Sequence, residues 1–191
     1  MDLPELKQIE VATRMPVFWC GLNQHVDALI QARLAIDEVR VLHPDSTPSN
    51  VQAVYMSPWH SHLLTPRFQP LISLVEEAAR TASRQGMLAD LERLNLDVRV
   101  SDCWGAIYEG GDYTHPHHHF PSAWSVVVYL EAEPGCAPIV FGDGIAVKPV
   151  PGLMVMFPGN LLHAVPATAG RRVCAVMNLL AVPCFREGGA A

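Results

Sequence analysis

Four histidines fall within five residues in Thr114-His115-Pro116-His117-His118-His119-Phe120-Pro121. Imidazole nitrogens are good ligands for transition metals. In extended chain, residues two apart project from one face, so His117 and His119 can reach the same ion. A third histidine, His163, stands alone after the turn-like Phe157-Pro158-Gly159. Arg171 and Arg172 follow it and open the apolar run Val173–Leu180. A guanidinium at the start of a buried strand calls for a planar anion, and a carboxylate fits its fork with two hydrogen bonds. The chemistry these types and spacings offer is one metal ion held by His117, His119 and His163, with Arg172 holding an acidic small molecule beside it. Imidazole alone does not choose among Fe, Zn, Cu and Ni.

His115, His117 and His119 share one parity, and His118 has the other. The pair His117/His119 is favoured because Pro116 interrupts the strand ahead of it and the core run Trp124–Leu130 follows. His115 is then expected behind the site or at its mouth, and His118 outward. Arg171, opposite in parity to Arg172, is expected to face solvent. A second His-x-His, His60-Ser61-His62, precedes a loop and a helix and is expected to be a structural loop. Asp112 is the nearest spare carboxylate, but the preceding Gly110-Gly111 places it in a turn.

Elements to position these groups can be read along the chain. Residues 7–20 read as one or two strands broken by Pro16. Residues 22–39 read as a helix, with Asn23 as N-cap and an apolar face of Val26, Leu29, Ile30, Leu34 and Ile36. Val51–Met56 is strand-like. Residues 66–86 read as a second helix stopped by Gly86, and 87–94 as a short third. From Leu96 onward, β-branched and aromatic runs alternate with glycine-containing turns. That pattern predicts a mainly β fold, a double-stranded β-helix (jelly roll, or cupin-like barrel) buttressed by two or three helices. One domain is expected over 1–191: strands and supporting helices in 1–95, the jelly-roll core with the site in 96–182, and a tail in 183–191.

Composition sets outer limits. The chain has 191 residues, half of them hydrophobic and 17% charged, which is globular. A net charge of −6 without a basic run argues against nucleic-acid binding. Without a basic n-region, an apolar h-region or a membrane-length apolar run, cytoplasmic residence and no membrane association are expected. The five cysteines are scattered and form no C-x-x-C, so most are expected to be buried thiols.

Taken together, Trp104–Tyr108, Gly111–His119, Phe120–Ser125, Val128–Leu130, Phe157–Gly159, His163–Pro166, Gly170–Arg172 and Asn178 resemble the Fe(II)- and 2-oxoglutarate-dependent oxygenases. The likeness is to their small bacterial and phage-type group. It implies His117, His119 and His163 as catalytic iron ligands and Arg172 as partner of the distal carboxylate of 2-oxoglutarate. O₂ would be the oxidant, and succinate, CO₂ and a hydroxylated C–H bond the products. Cys174, sharing a face with Arg172 and Val176, is expected to line the co-substrate pocket with Tyr108. Trp59, His60, Tyr113 and Trp124 are expected at its rim. The family more often has Asp or Glu where His119 stands. Expected partners are a small-molecule or peptide substrate, with a homodimer left open. Two rivals remain: a cupin-type metal dioxygenase without 2-oxoglutarate, and a non-catalytic metal-binding jelly roll.

Overall fold

The computed structural model of the chain describes residues 7–9, 12–85, 91 and 93–184. The long β-branched runs are strands: β4 (Leu96–Tyr108), β6 (Trp124–Ala132), β9 (Leu153–Pro158) and β11 (Arg172–Pro183). With β1 (Phe18–Gly21) and β3 (Tyr55–Met56) they form a six-stranded sheet in the order β1-β9-β6-β11-β4-β3. Shorter strands β2 (Val51–Gln52), β5 (Tyr113–His117), β7 (Ile139–Phe141), β8 (Ile145–Val147) and β10 (His163–Val165) form a second sheet, β2-β5-β10-β7-β8. The named strands pair antiparallel. This is the expected jelly roll.

The period-2 alternation of the central strands sorts their side chains into two cores. On β11, Arg172, Cys174 and Val176 face the second sheet, whereas Val173, Ala175 and Met177 face the helices. On β6, Val127 and Tyr129 look inward, and Trp124, Val126 and Val128 outward. Helices α1 (Val26–Leu42) and α2 (Gln69–Gln85) cover that outer face, so both buttress one side of the barrel as expected. Gly105 permits the fit: a Cβ there would meet Ile36 of α1 at 2.4 Å.

Several local expectations fail for physical reasons. Of residues 7–20, only Phe18–Gly21 is strand among those described. Helix α1 starts at Val26 with His25 at its cap, because Leu22 and His25 form a turn that ties to Gly152. Its buried face is Ala28, Ala32, Ala35, Ile36 and Val39, while Val26, Ile30 and Leu34 lie exposed. Ile36 of this face fills the space above Gly105. The Val51–Met56 run is split at Ala53-Val54, since its halves belong to different sheets. The second helix begins after a 3₁₀ turn, Pro66–Phe68, capped by the Thr65 hydroxyl. The third helix and the Gly86 stop fall mostly outside the described residues, and Leu91 and 93–95 are turns. All five cysteines are free, but only Cys103 and Cys174 are buried. No helix among the described residues is long and apolar enough to cross a membrane.

Candidate metal centre

Register brings the first and third histidines together. His163 on β10 is the direct cross-strand partner of His117, the last residue of β5. The pairing slips between His163 and Val165, leaving one extra residue on the β5 side, at His115-Pro116. A bulge of this kind accommodates a proline, which has no ladder donor, and re-aims the neighbouring side chain. Pro116 therefore does not end the strand, as the sequence predicts, but sits within it. His119 lies beyond β5, in a turn whose backbone is fixed by His119 N–H donating to Gly159 O at 2.5 Å. A Cβ on Gly159 would lie 2.1 Å from Ser122 O, so the two site loops can close only on glycine.

The three imidazoles converge. One ligand atom from each of His117, His119 and His163 lies within 4.8 Å of the others. Two of the rings are oriented by carbonyls that can only accept. His117 Nδ1–H donates to His115 O (2.8 Å) and His163 Nδ1–H to Leu161 O (2.9 Å). Each bond leaves Nε2 as the free ligand atom, the arrangement that metal-binding histidines use. Burial disfavours the imidazolium form. It pushes His119 down to about 3, helped by His163 and His117, and His163 down to about 4, helped by His117. His117 is lowered for the same reason. Neutral rings are the metal-binding form.

A cavity partly open to solvent runs from these rings to Arg172. Arg172 is only 2% exposed. Its Nη1–H donates to Ala137 O at 2.9 Å, and its guanidinium carbon lies 4.0 Å from the centre of the Tyr108 ring. Its Nε has no partner, and no carboxylate pairs with it among the described residues. Removing one partner of a buried ion pair typically costs 3–5 kcal/mol, so this geometry fits an incoming anion. Tyr108 and Cys174 line the same cavity, their hydroxyl and thiol pushed up by burial to about 12 and about 11. Tyr108 OH is hydrogen-bonded to Thr114 Oγ1 at 2.8 Å. The residues therefore fit both a divalent metal at the histidines and a carboxylate at Arg172.

Other candidates separate from the site. Asp112 accepts from Val54 N–H and Glu109 N–H, which makes it a turn clasp. His118 is exposed and accepts from Phe120 N–H. His115 acts through its carbonyl. Arg171 is ion-paired with Glu131. His60 pairs with Asp102, and His62 lies in a 3₁₀ turn. Tyr113 stacks edge-on against His115. Trp124 is a correction: it has the outward parity, is fully buried under α2 and donates from Nε1 to Ser83 Oγ. Trp104 lines the cavity instead, with Trp59 packed edge-on against it at 4.7 Å. Thr114, Ser125 and Tyr129 also line it and were not singled out from sequence. The inward parity of Ser125 and Tyr129, shared with Val127 on β6, is the signal that could have found those two; Thr114 has the parity of His118 and reaches the cavity only through the bulge.

No protein-family model and no curated protein matches the chain. Solved structures do. The non-heme α-ketoglutarate-dependent epimerase SnoN from nogalamycin biosynthesis aligns at 15% identity over 93% of this chain and 88% of that one, TM-score 0.66. A Trichoplax adhaerens prolyl hydroxylase, in complex with a hypoxia inducible factor peptide fragment, aligns at 13% over 85% and 82%, TM-score 0.61. The viral collagen prolyl hydroxylase of Paramecium bursaria Chlorella virus-1, a 2-oxoglutarate complex, aligns at 16% over 85% and 94%, TM-score 0.59. The fold is thus the jelly roll found in Fe(II)/2-oxoglutarate oxygenases.

Proposed function

We propose that this chain is a non-haem Fe(II)- and 2-oxoglutarate-dependent oxygenase that hydroxylates an unactivated C–H bond of a small-molecule or peptide substrate. The observation that carries the reading is Arg172. It is a buried guanidinium without a carboxylate partner among the described residues, on the same cavity as three converging neutral histidines. A cupin-type dioxygenase without 2-oxoglutarate would leave that arginine without a purpose.

In this reading His117, His119 and His163 hold the metal, His117 and His163 through Nε2, with the His115 and Leu161 carbonyls fixing these two rings. Arg172 binds the distal carboxylate of 2-oxoglutarate, and the Tyr108 ring beneath it keeps the guanidinium in place. Bound iron would supply the oxidising chemistry, with O₂ as the oxidant, one oxygen atom going to the substrate C–H bond and the other to 2-oxoglutarate, which leaves as succinate and CO₂. The apolar lining of Val127, Phe157, Ile139, Val165 and Val176 excludes water from the reacting carbon. The all-histidine set brings no negative charge to the metal, so the carboxylate of 2-oxoglutarate that Arg172 does not hold would supply compensating charge.

The test is calorimetric titration of 2-oxoglutarate into Mn(II)-loaded protein under argon. One site per chain is expected. Arg172→Ala should weaken it by roughly 30-fold or more, corresponding to the 2–5 kcal/mol typical of a buried charge pair that loses one member. Metal binding should be retained. Equal affinity in the variant would remove Arg172 from the co-substrate site.

A further inference from the structure

Next to the metal ligands, and touching the cavity at Ser125, lies a row of polar groups whose chemistry is opposite to that of Arg172. Beyond Val176 on β11, the inward-facing parity continues to Asn178. Asn178 pairs directly with Ser125 on β6 and with Asp102 on β4. The three side chains form a row across adjacent strands, roughly 20 Å along β11 from Arg172. Ser125 is fully buried and lines the cavity, and Asn178 is 8% exposed. Ser125 Oγ and Asn178 Oδ1 have no hydrogen-bond partner among the described residues. Asp102 Oδ2 accepts from Ser101 Oγ at 2.9 Å, and Oδ1 lies 3.2 Å from His60 Nε2. An ionised carboxylate has about four acceptor positions, so capacity remains.

The row adjoins the metal ligands. Ser125 pairs across the sheet with Phe157, whose ring lies 4.6 Å from that of His163. Trp104, two residues from Asp102 on the same face, lies 6.1 Å from His119. Trp59 and Trp104 set aromatic faces alongside. The Asp102 carboxylate and the nearby π-faces favour a positively charged N–H donor, and such a donor can also satisfy the orphaned Ser125 Oγ and Asn178 Oδ1. Among the residues lining the cavity, Arg172 is the lone Lys or Arg, and it lies apart from this row.

We infer that the Ser125–Asn178–Asp102 row is the recognition site for the primary substrate, and that this substrate carries a protonated amine or guanidinium. The inference deepens the proposed function and rests on it for the reaction, though not for the binding. The same chemistry could arrive on a free alkylamine or on a lysine or arginine side chain of a polypeptide.

The experiment uses the Mn(II)-loaded full chain under argon with 2-oxoglutarate and reads paramagnetic relaxation of probe protons by NMR. The probes are n-butylamine, n-butylguanidine, 1-butanol and Nα-acetyl-lysine amide. The amine and guanidine should bind at least about ten times more tightly than the isosteric alcohol, with their alkyl protons relaxed by the metal. Asp102→Asn, which keeps the shape, should abolish that preference, as should Asn178→Ala. His62→Ala should keep it. Tighter binding of the blocked lysine than of butylamine would assign a side chain, and equal binding a free amine; both support the site. Equal binding of butanol and butylamine, or an unchanged preference in folded Asp102→Asn protein, would overturn it. Titrating 2-oxoglutarate on the same samples separates the two claims. Co-substrate binding without amine preference defeats the row alone, whereas amine preference without co-substrate binding supports the row and defeats the proposed reaction.

Discussion

The chain carries the spacing His-x-His twice, and the two copies end in different surroundings. His117 and His119 close on His163, with ring centres 4.2 to 5.1 Å apart. The rings of His60 and His62 stand 6.2 Å apart, and among the described residues they join no metal-ligating cluster. The difference lies in the backbone that presents them. His60 precedes a 3₁₀ turn that contains His62. With three residues per turn, side chains two apart diverge there. His117 sits on a bulged strand with a histidine directly across the ladder, and His119 is brought back by the Gly159 turn. Burial also differs in its consequence. It lowers His62 as it lowers His119, but Nδ1 of His62 has no partner among the described residues, whereas the site rings of His117 and His163 are oriented by carbonyls.

The comparison can be broken most directly by deleting one histidine from each neighbourhood. His163→Ala should weaken Fe(II) or Mn(II) binding by more than about 100-fold, since losing a ligand exceeds the 10- to 100-fold typical of an outer-shell change. His62→Ala should leave metal content, measured by elemental analysis after gel filtration, at one per chain. Equal loss in both would mean that the spacing, not the third histidine, sets affinity.

A smaller effect is expected from the turn that returns His119. Gly159→Ala must displace Ser122 O or the loop itself, an overpacking change of about 1–3 kcal/mol. The urea midpoint should fall, and metal affinity with it. A lowered midpoint with unchanged affinity would show that the turn supports folding without aiming His119.

The pH dependence sharpens the contrast in burial. His119 and His163 are held below their ordinary 6.5, at about 3 and about 4. As pH falls through 6.5, the unfolded chain takes up protons that the folded metal-free protein does not. The stability these groups contribute is fully present above 6.5 and is lost progressively down to pH 3–4. Denaturation midpoints across that window should show the slope, and His119→Gln should flatten it more than His62→Ala. The smallest effect belongs to His60. Its contact with Asp102 is surface-exposed, so His60→Ala should change stability by less than about 1 kcal/mol.

Much of the barrel was legible because its central strands are long and carry their own parity. The run from Arg172 to Val176 announced both the strand and which residues share its inner face. The same parity rule placed Trp124 outside and Ser125 inside, but aromatic character drew attention to the tryptophan. The face of α1 was not legible from hydropathy. Ala28, Ala32 and Ala35 are buried on the same face as Ile36, whose side chain occupies the space that Gly105 leaves, a long-range fit that puts Val26, Ile30 and Leu34 outside. Residue types nominated His117, His119 and His163. The bulge at Pro116 that aims His117 depends on pairing with β10 and has no local signature.

The central claim is that one cavity holds a histidine-bound iron and a carboxylate co-substrate on Arg172. An anaerobic visible spectrum, recorded after adding Fe(II) and then 2-oxoglutarate, tests it most directly. A metal-to-ligand charge-transfer band that needs both additions is expected. The band should be lost in His163→Ala, require far more 2-oxoglutarate in Arg172→Ala, and persist in His62→Ala. Iron bound at one per chain with no band at any 2-oxoglutarate concentration would contradict it.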